Sequence, residues 1–172
     1  GILLGSLGGM FAAFIGGIVS NVIWPSSAVL GLATWVPGVV GAFGAGMLLK
    51  RKWKPVAATM LAILLAFIAH PFGPPVALYA NWDKAIALGL VYPVSRFANR
   101  RLNERRSVKA LMPAIGLIAL IATEMDGATG NLIFLLEAQP VFGLTKETLP
   151  AWVIPYALWD PATRVLVGIV CG

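Results

Sequence analysis

The sequence predicts an all-α fold: a polytopic integral membrane helical bundle of about six transmembrane segments, each set by the ~20 apolar residues a crossing needs, some of them broken by glycine or proline. Three observations lead there. Hydrophobic residues make up 59% of the chain and charged residues only 12%, with a mean hydropathy of +0.85; soluble domains carry roughly 25% charged residues. Ten of the thirteen basic residues fall in two clusters, Lys50 to Lys54 and Arg96 to Lys109, which divide long apolar stretches. Nineteen glycines and twelve prolines accompany them, residues more frequent in membrane helices than in soluble ones.

The same counts exclude other classes. A net charge of +6 would suit nucleic acid, but Lys and Arg confined to short loops are a topology signal, because such loops stay cytoplasmic. No nucleic-acid partner is expected, and anionic lipid headgroups are the natural counterpart of both clusters. Cys171, the single cysteine, can form no internal disulfide, and no secretory signal peptide is expected. Residues 1–172 read as one transmembrane domain of the cell membrane. The chain begins without Met and stops inside the apolar run Val165 to Cys171, so we expect a fragment with further helices beyond its ends.

Taken in order, Ile2 to Ile23 is uncharged and long enough to cross. Gly5, Gly9, Ala13 and Gly17 recur at every fourth position and make a smooth face for close approach, by a helix of this chain or by a separate docking protein. Asn21, Trp24, Pro25 and the serine pair after them suit a turn at the membrane interface, where Trp is enriched. A second span runs from about Ala28 to Leu49, with a kink expected at Pro37 and a second small-residue stripe at Gly38, Ala42 and Gly46. Pro55 opens the third span, which breaks at His70-Pro-Phe-Gly-Pro-Pro75. His70, the one histidine, reads first as a hydrogen-bonded helix terminus near the outer face and second as a ligand contact or proton carrier.

The fourth span, from near Val76 to Ala98, carries Trp82, Asp83 and Lys84 in its outer third. Adjacent residues point about 100° apart on a helix, so Asp83 and Lys84 are not expected to neutralise each other, and at least one needs another partner. Both lie at the wet interface, or else Trp82 and Asp83 form a cavity wall. A fifth helix starting near Lys109 and running to Ala138 would measure about 43 Å against an apolar slab of ~30 Å. A break at Gly127 or Gly130 is therefore expected, unwinding Met125 to Gly130 so that Glu124, Asp126 and Asn131 turn toward one cavity. Carboxylates at membrane depth are costly and normally face a polar cavity or a partner. The plainer alternative is an interfacial helix end capped by its own acids and amide.

The last span runs from Trp152 to Val170. Asp160 and Arg164 have the i,i+4 spacing of an intrahelical ion pair, which either locks this helix to its neighbours or meets a ligand. Pro155 and Pro161 permit bends beside Tyr156 and Trp159, whose rings can stack on a substrate. This count puts the basic loops 50–54 and 96–109 on the cytoplasmic side and His70, Asp83 and Lys146 on the other.

Catalytic signatures are missing. The sequence holds no His-Glu-x-x-His, Gly-x-Ser-x-Gly or Cys-x-x-Cys, and a lone histidine does not make a typical metal site; neither metal nor cofactor is expected. Two rival readings stay open: a proton- or ion-coupled secondary transporter using Asp160 and Arg164 as a relay, and an intramembrane metal-dependent or lipid-modifying enzyme using the paired acids.

The glycine-rich first span, Gly1-Ile-Leu-Leu-Gly5 to Ser20-Asn21, and the span Trp35-Val-Pro-Gly-Val-Val-Gly-Ala-Phe-Gly-Ala-Gly46 ending in Lys-Arg-Lys resemble the substrate-binding S-components of energy-coupling-factor vitamin transporters. The likeness covers roughly residues 1 to 55 and, beyond them, only the pattern of six helices. It implies a small helical membrane protein that binds a vitamin-like micronutrient from outside, hydrolyses nothing itself, and associates with a transmembrane coupling subunit and two ATPases. The family's alanine-x-x-x-alanine docking motif is represented here by the ladder Gly5, Gly9, Ala13 and Gly17. No substrate-specific motif carries over. Binding residues come from the physical argument: Glu124, Asp126 and Asn131 for charge and hydrogen bonds, Asp83, Asp160 and His70 for further polar contacts, and Trp82, Tyr156 and Trp159 for stacking. The expected ligand is small and water-soluble, and because acids outnumber bases among these positions a cationic or amine-bearing one is favoured.

Overall fold

A computed structural model describes residues 2–25, 30–103 and 108–171. Among them are seven α-helices and no strand: α1 (Gly5–Ile23), α2 (Trp35–Leu49), α3 (Trp53–Ala69), α4 (Ala77–Asn103), α5 (Val108–Glu137), α6 (Leu149–Val153) and α7 (Tyr156–Cys171). Two helical stretches, Gly5–Ile23 and Leu111–Glu137, are long and apolar enough to cross a membrane; α2 and α3 are apolar but shorter.

Local chemistry explains most boundaries. A single 3-10 turn at Gly31–Ala33 leads into α2, where Pro37 sits in the first helical turn. Proline is tolerated there because its missing N–H would have had no partner. The expected kink at Pro37 is thus a helix start, and α2 is shorter than the span read from Ala28; Ser26 to Val29 lie outside the described residues. α3 ends where Pro71, which follows His70, prevents continuation: His70 takes extended backbone (φ −70, ψ 140), the conformation favoured before proline. Pro93, Pro113 and Pro161 lie inside helices. The tail of the second basic cluster, Glu104 to Arg106, also falls outside the described residues.

α5 is the central element, packed against α2, α3, α4 and α7. Small residues let its neighbours approach. A Cβ on Gly41 would stand 2.9 Å from the carbonyl of Ala122, one on Gly44 would strike the sulfur of Met125, and one on Gly168 would stand 3.4 Å from the carbonyl of Gly116. Gly127 reverses the roles: its bare Cα admits the guanidinium of Arg164 from α7. Contrary to the expected break at Gly127 or Gly130, α5 stays helical throughout. The glycines serve side-to-side contact, so no unwinding is needed to use them.

Two apolar cores divide the bundle. One joins Leu48, Val56, Met60, Val91, Ala98, Ala114 and Ile118 near the basic segments. The other joins Phe67, Val76, Leu135, Ala138, Leu144 and Leu149 at the opposite end, where the loop after α5 folds back. There Thr145 and Thr148 bond each other, and the Thr145 hydroxyl also holds the Glu147 carboxyl below the usual carboxylate range. The outward faces are apolar: Leu3, Leu7, Phe11, Val22 and Ile23 around α1 and Leu166, Ile169 and Val170 on α7 are all exposed.

The ladder of α1 is largely spent on α2. Gly17 packs on Trp35, Ala13 lies 3.9 Å from the Cβ position of Gly38, and Gly9 is buried. Gly5, at positive φ (72°), meets nothing, and its neighbour Ser6 lies against Gly46 instead. Lys50 Nζ donates to Ser6 Oγ at 3.1 Å, which ties the start of α1 to the basic end. Gly46→Ala should therefore destabilise the protein by about 1–3 kcal/mol through overpacking, while Gly16→Ala, with open space around it, should be neutral or slightly stabilising. Thermal unfolding of both variants in mild detergent checks the pair.

Candidate functional site

Two helices, α4 and α7, bring four charges together against the backbone of a third, α5. Lys84 of α4 is nearly sealed, its side chain 2% exposed, and burying an ammonium is tolerable only with partners. It has two: Nζ donates to Asp83 Oδ2 at 2.8 Å and to Asp160 Oδ2 at 2.7 Å. Asp83 and Lys84 therefore do pair, against the expectation from their 100° separation. The lysine stem is long enough to curl back, and the Lys84 N–H also donates to Asp83 Oδ1 at 2.9 Å. The further partner that the sequence demanded is Asp160, across on α7.

Asp160 also accepts from Arg164 one turn on, from Nε at 3.1 Å and from Nη2 at 2.9 Å. This is the two-pronged arrangement that suits a planar guanidinium and a carboxylate. The remaining Nη1 donates to the backbone carbonyl of Thr123 on α5, a reach made possible by Gly127. Two further bonds clamp α4. Asn131 Nδ2 donates to the carbonyl of Ala80 at 2.6 Å, and the Trp82 indole donates to the carbonyl of Ala157 at 2.8 Å.

Beside this quartet lies a cavity of about 530 Å³ between α2, α4, α5 and α7, roofed by the loop after α5. Asp83, Lys84, Asp126, Asn131, Asp160 and Arg164 contribute its polar lining; Tyr79, Phe134, Phe142, Trp152, Tyr156 and Trp159 contribute rings. Its walls share Phe67, Val76 and Leu135 with the second core, so it sits at the end of the bundle away from Lys50 to Lys54. Asp126 forms no hydrogen bond or ion pair among the described residues. Among the same residues no group of three or more His, Cys, Asp or Glu could hold a metal ion.

Of the residues expected at a site, Asp83, Asp126, Asn131, Tyr156, Trp159 and Asp160 line this one cavity. Glu124 does not. Two positions from Asp126 on an unbroken helix, it points elsewhere, is 4% exposed, and leaves Oε2 enclosed without a hydrogen-bond partner among the described residues. The charges of Asp83, Lys84, Arg164 and Asp160 still reach it. Trp82 braces the wall from behind through its bond to α7. His70 stands at the end of α3, where Nδ1 accepts the Phe72 N–H at 3.3 Å, and is not part of the lining.

Lining residues that the sequence did not mark as site residues include Tyr79, Gly127, Phe134 and Trp152. The first three had a signal. Tyr79 precedes Asp83 by four, Gly127 precedes Asn131 by four, and Phe134 lies two turns beyond Asp126, so each shares a helix face with a polar residue. Trp152 comes from the one-turn helix α6, and Phe142 from a loop; neither has a periodic signal.

No protein-family model matches the chain, and no curated protein or solved structure matches it.

The arrangement separates two kinds of carboxylate. Asp160→Asn leaves Lys84 with Asp83 alone and Arg164 with no carboxylate partner, and should cost about 3 kcal/mol, the low end for breaking a buried pair, since the Asp160 side chain is 31% exposed. Asp126→Asn breaks no pair and should unfold within about 0.5 kcal/mol of the parent. Comparison of their unfolding midpoints in detergent checks this order.

Proposed function

We propose that this chain is the solute-capturing subunit of a membrane uptake system for a small, polar, vitamin-like micronutrient. α1 to α5 and α7 are its six crossings, the segments 50–54 and 96–109 face the cytoplasm and anionic lipid, and the cavity opens outward. The observation that carries this reading is the cavity itself: about 530 Å³, within the roughly 300–1,000 Å³ usual for small-molecule sites, walled by rings and fixed charges, at the end away from the basic segments. Polar groups inside an apolar bundle are retained where they meet a substrate path. Transport energy comes from a transmembrane coupling subunit and its ATPases, as the resemblance implies.

Glu124 favours a second reading. A sealed carboxylate with an unpartnered oxygen beside an ion network suits a proton carrier, which would make the chain an ion-coupled secondary transporter working alone.

One preparation separates the two. Protein purified from its membrane should release a small polar molecule on denaturation, detected by mass spectrometry. Liposomes holding this chain alone should bind that molecule without accumulating it. Accumulation driven by a pH gradient would transfer the assignment to the second reading, and release of nothing from protein that also moves nothing would contradict both.

A further inference from the structure

The pairing pattern narrows the solute. Five charged groups line the cavity: the carboxylates of Asp83, Asp126 and Asp160 and the cations of Lys84 and Arg164. Both cations already hold carboxylate partners, Lys84 through Asp83 and Asp160 and Arg164 through Asp160, with the Thr123 carbonyl beside it. Asp126 is left over. Arg164's charge reaches it, but every guanidinium nitrogen already donates elsewhere.

An anion entering this space would meet cations already neutralised by carboxylates and would add its charge to that of Asp126. A cation meets a carboxylate that has no partner among the described residues, in a partly enclosed space where such attraction is weakly screened. The remaining wall agrees. Asn131 gives one of its two N–H groups to Ala80 and keeps Oδ1 as an acceptor, and ring faces attract cations through their quadrupoles. Tyr79, Trp152, Tyr156 and Trp159 provide such rings around the same space.

We propose that the solute is a monocation carried on or beside a planar ring, with Asp126 as its counter-ion; the assignment rests on the solute-capture reading and specifies its substrate class. Asp126 supplies charge, the aromatic wall supplies stacking, and the Lys84–Asp160–Arg164 arrangement keeps the neighbouring acids occupied so that one negative charge is presented.

Isothermal titration calorimetry on the intact chain in detergent tests this with three probes of nearly one shape: the N-methylpyridinium form of nicotinamide, its neutral isostere meta-toluamide, and anionic isophthalamate. The cation should bind at least about ten-fold more tightly than the neutral probe, and the anion more weakly than either. Asp126→Asn should abolish the cation's advantage while leaving the neutral probe's affinity unchanged, and Asp126→Glu, which keeps the charge, should retain most of it. Absent cation binding, equal affinity for cation and neutral probe, tighter anion binding, or a preference that survives Asp126→Asn would each overturn the proposal. Mass spectrometry of the released solute keeps the two levels apart: a neutral or anionic molecule overturns the charge assignment and leaves the capture role standing, whereas a cation supports both.

Discussion

A single carboxylate, that of Asp160, holds two cations from two helices and so decides how the site is built. Its Oδ2 takes the Lys84 ammonium from α4, and both oxygens take the Arg164 guanidinium on its own helix. Arg164 in turn reaches the α5 backbone at Thr123. α4, α5 and α7 are thereby tied together at one level of the bundle by charge, where apolar packing alone would specify neither depth nor rotation. Ion pairs buried in this way contribute little net stability when compared with apolar substitutes, but removing one member leaves a stranded charge. The arrangement therefore fixes geometry more than it adds stability.

Close helix approach supplies the rest of the frame. α5 is flanked by glycines that either belong to its neighbours, as Gly41, Gly44 and Gly168 do, or admit a neighbour's side chain, as Gly127 admits Arg164. Near the basic end the resulting space is filled by Leu48, Met60, Val91 and Ile118. Toward the other end, rings from α4, α5, α6 and α7 surround space instead of filling it. The bundle is thus solid at one end and hollow at the other, and Asp126, a carboxylate without a partner among the described residues, lies in the hollow part.

Much of this was legible in the sequence, and the exceptions have physical causes. Apolar length placed the helices, and the i,i+4 rule placed Asp160 on Arg164. The demand that at least one of Asp83 and Lys84 find another partner is met by the cross-helix bond to α7, a partner that the spacing alone did not identify. Helix length misled at Gly127: a long helix was expected to break, whereas α5 remains whole and its glycine makes room for Arg164. Because the helix does not unwind, Glu124 and Asp126 keep separate faces, and only Asp126 reaches the cavity. A rule about backbone direction failed at Lys84, whose side chain is flexible enough to fold back on its neighbour. Trp152 and Phe142 were out of reach because a one-turn helix and a loop carry no periodicity, and their place at the cavity depends on how the segment after α5 returns.

The central claim is that Lys84 and Asp160 are coupled across the helix boundary, and a double-mutant cycle with Lys84→Met and Asp160→Leu measures that coupling directly. Equilibrium unfolding in mild detergent should find each single change costing about 3 kcal/mol, because each strands a charge. The double change should cost less than their sum by at least about 1.5 kcal/mol. Costs that add to within about 0.5 kcal/mol would mean that the two side chains do not meet, and the site as described would fall with them.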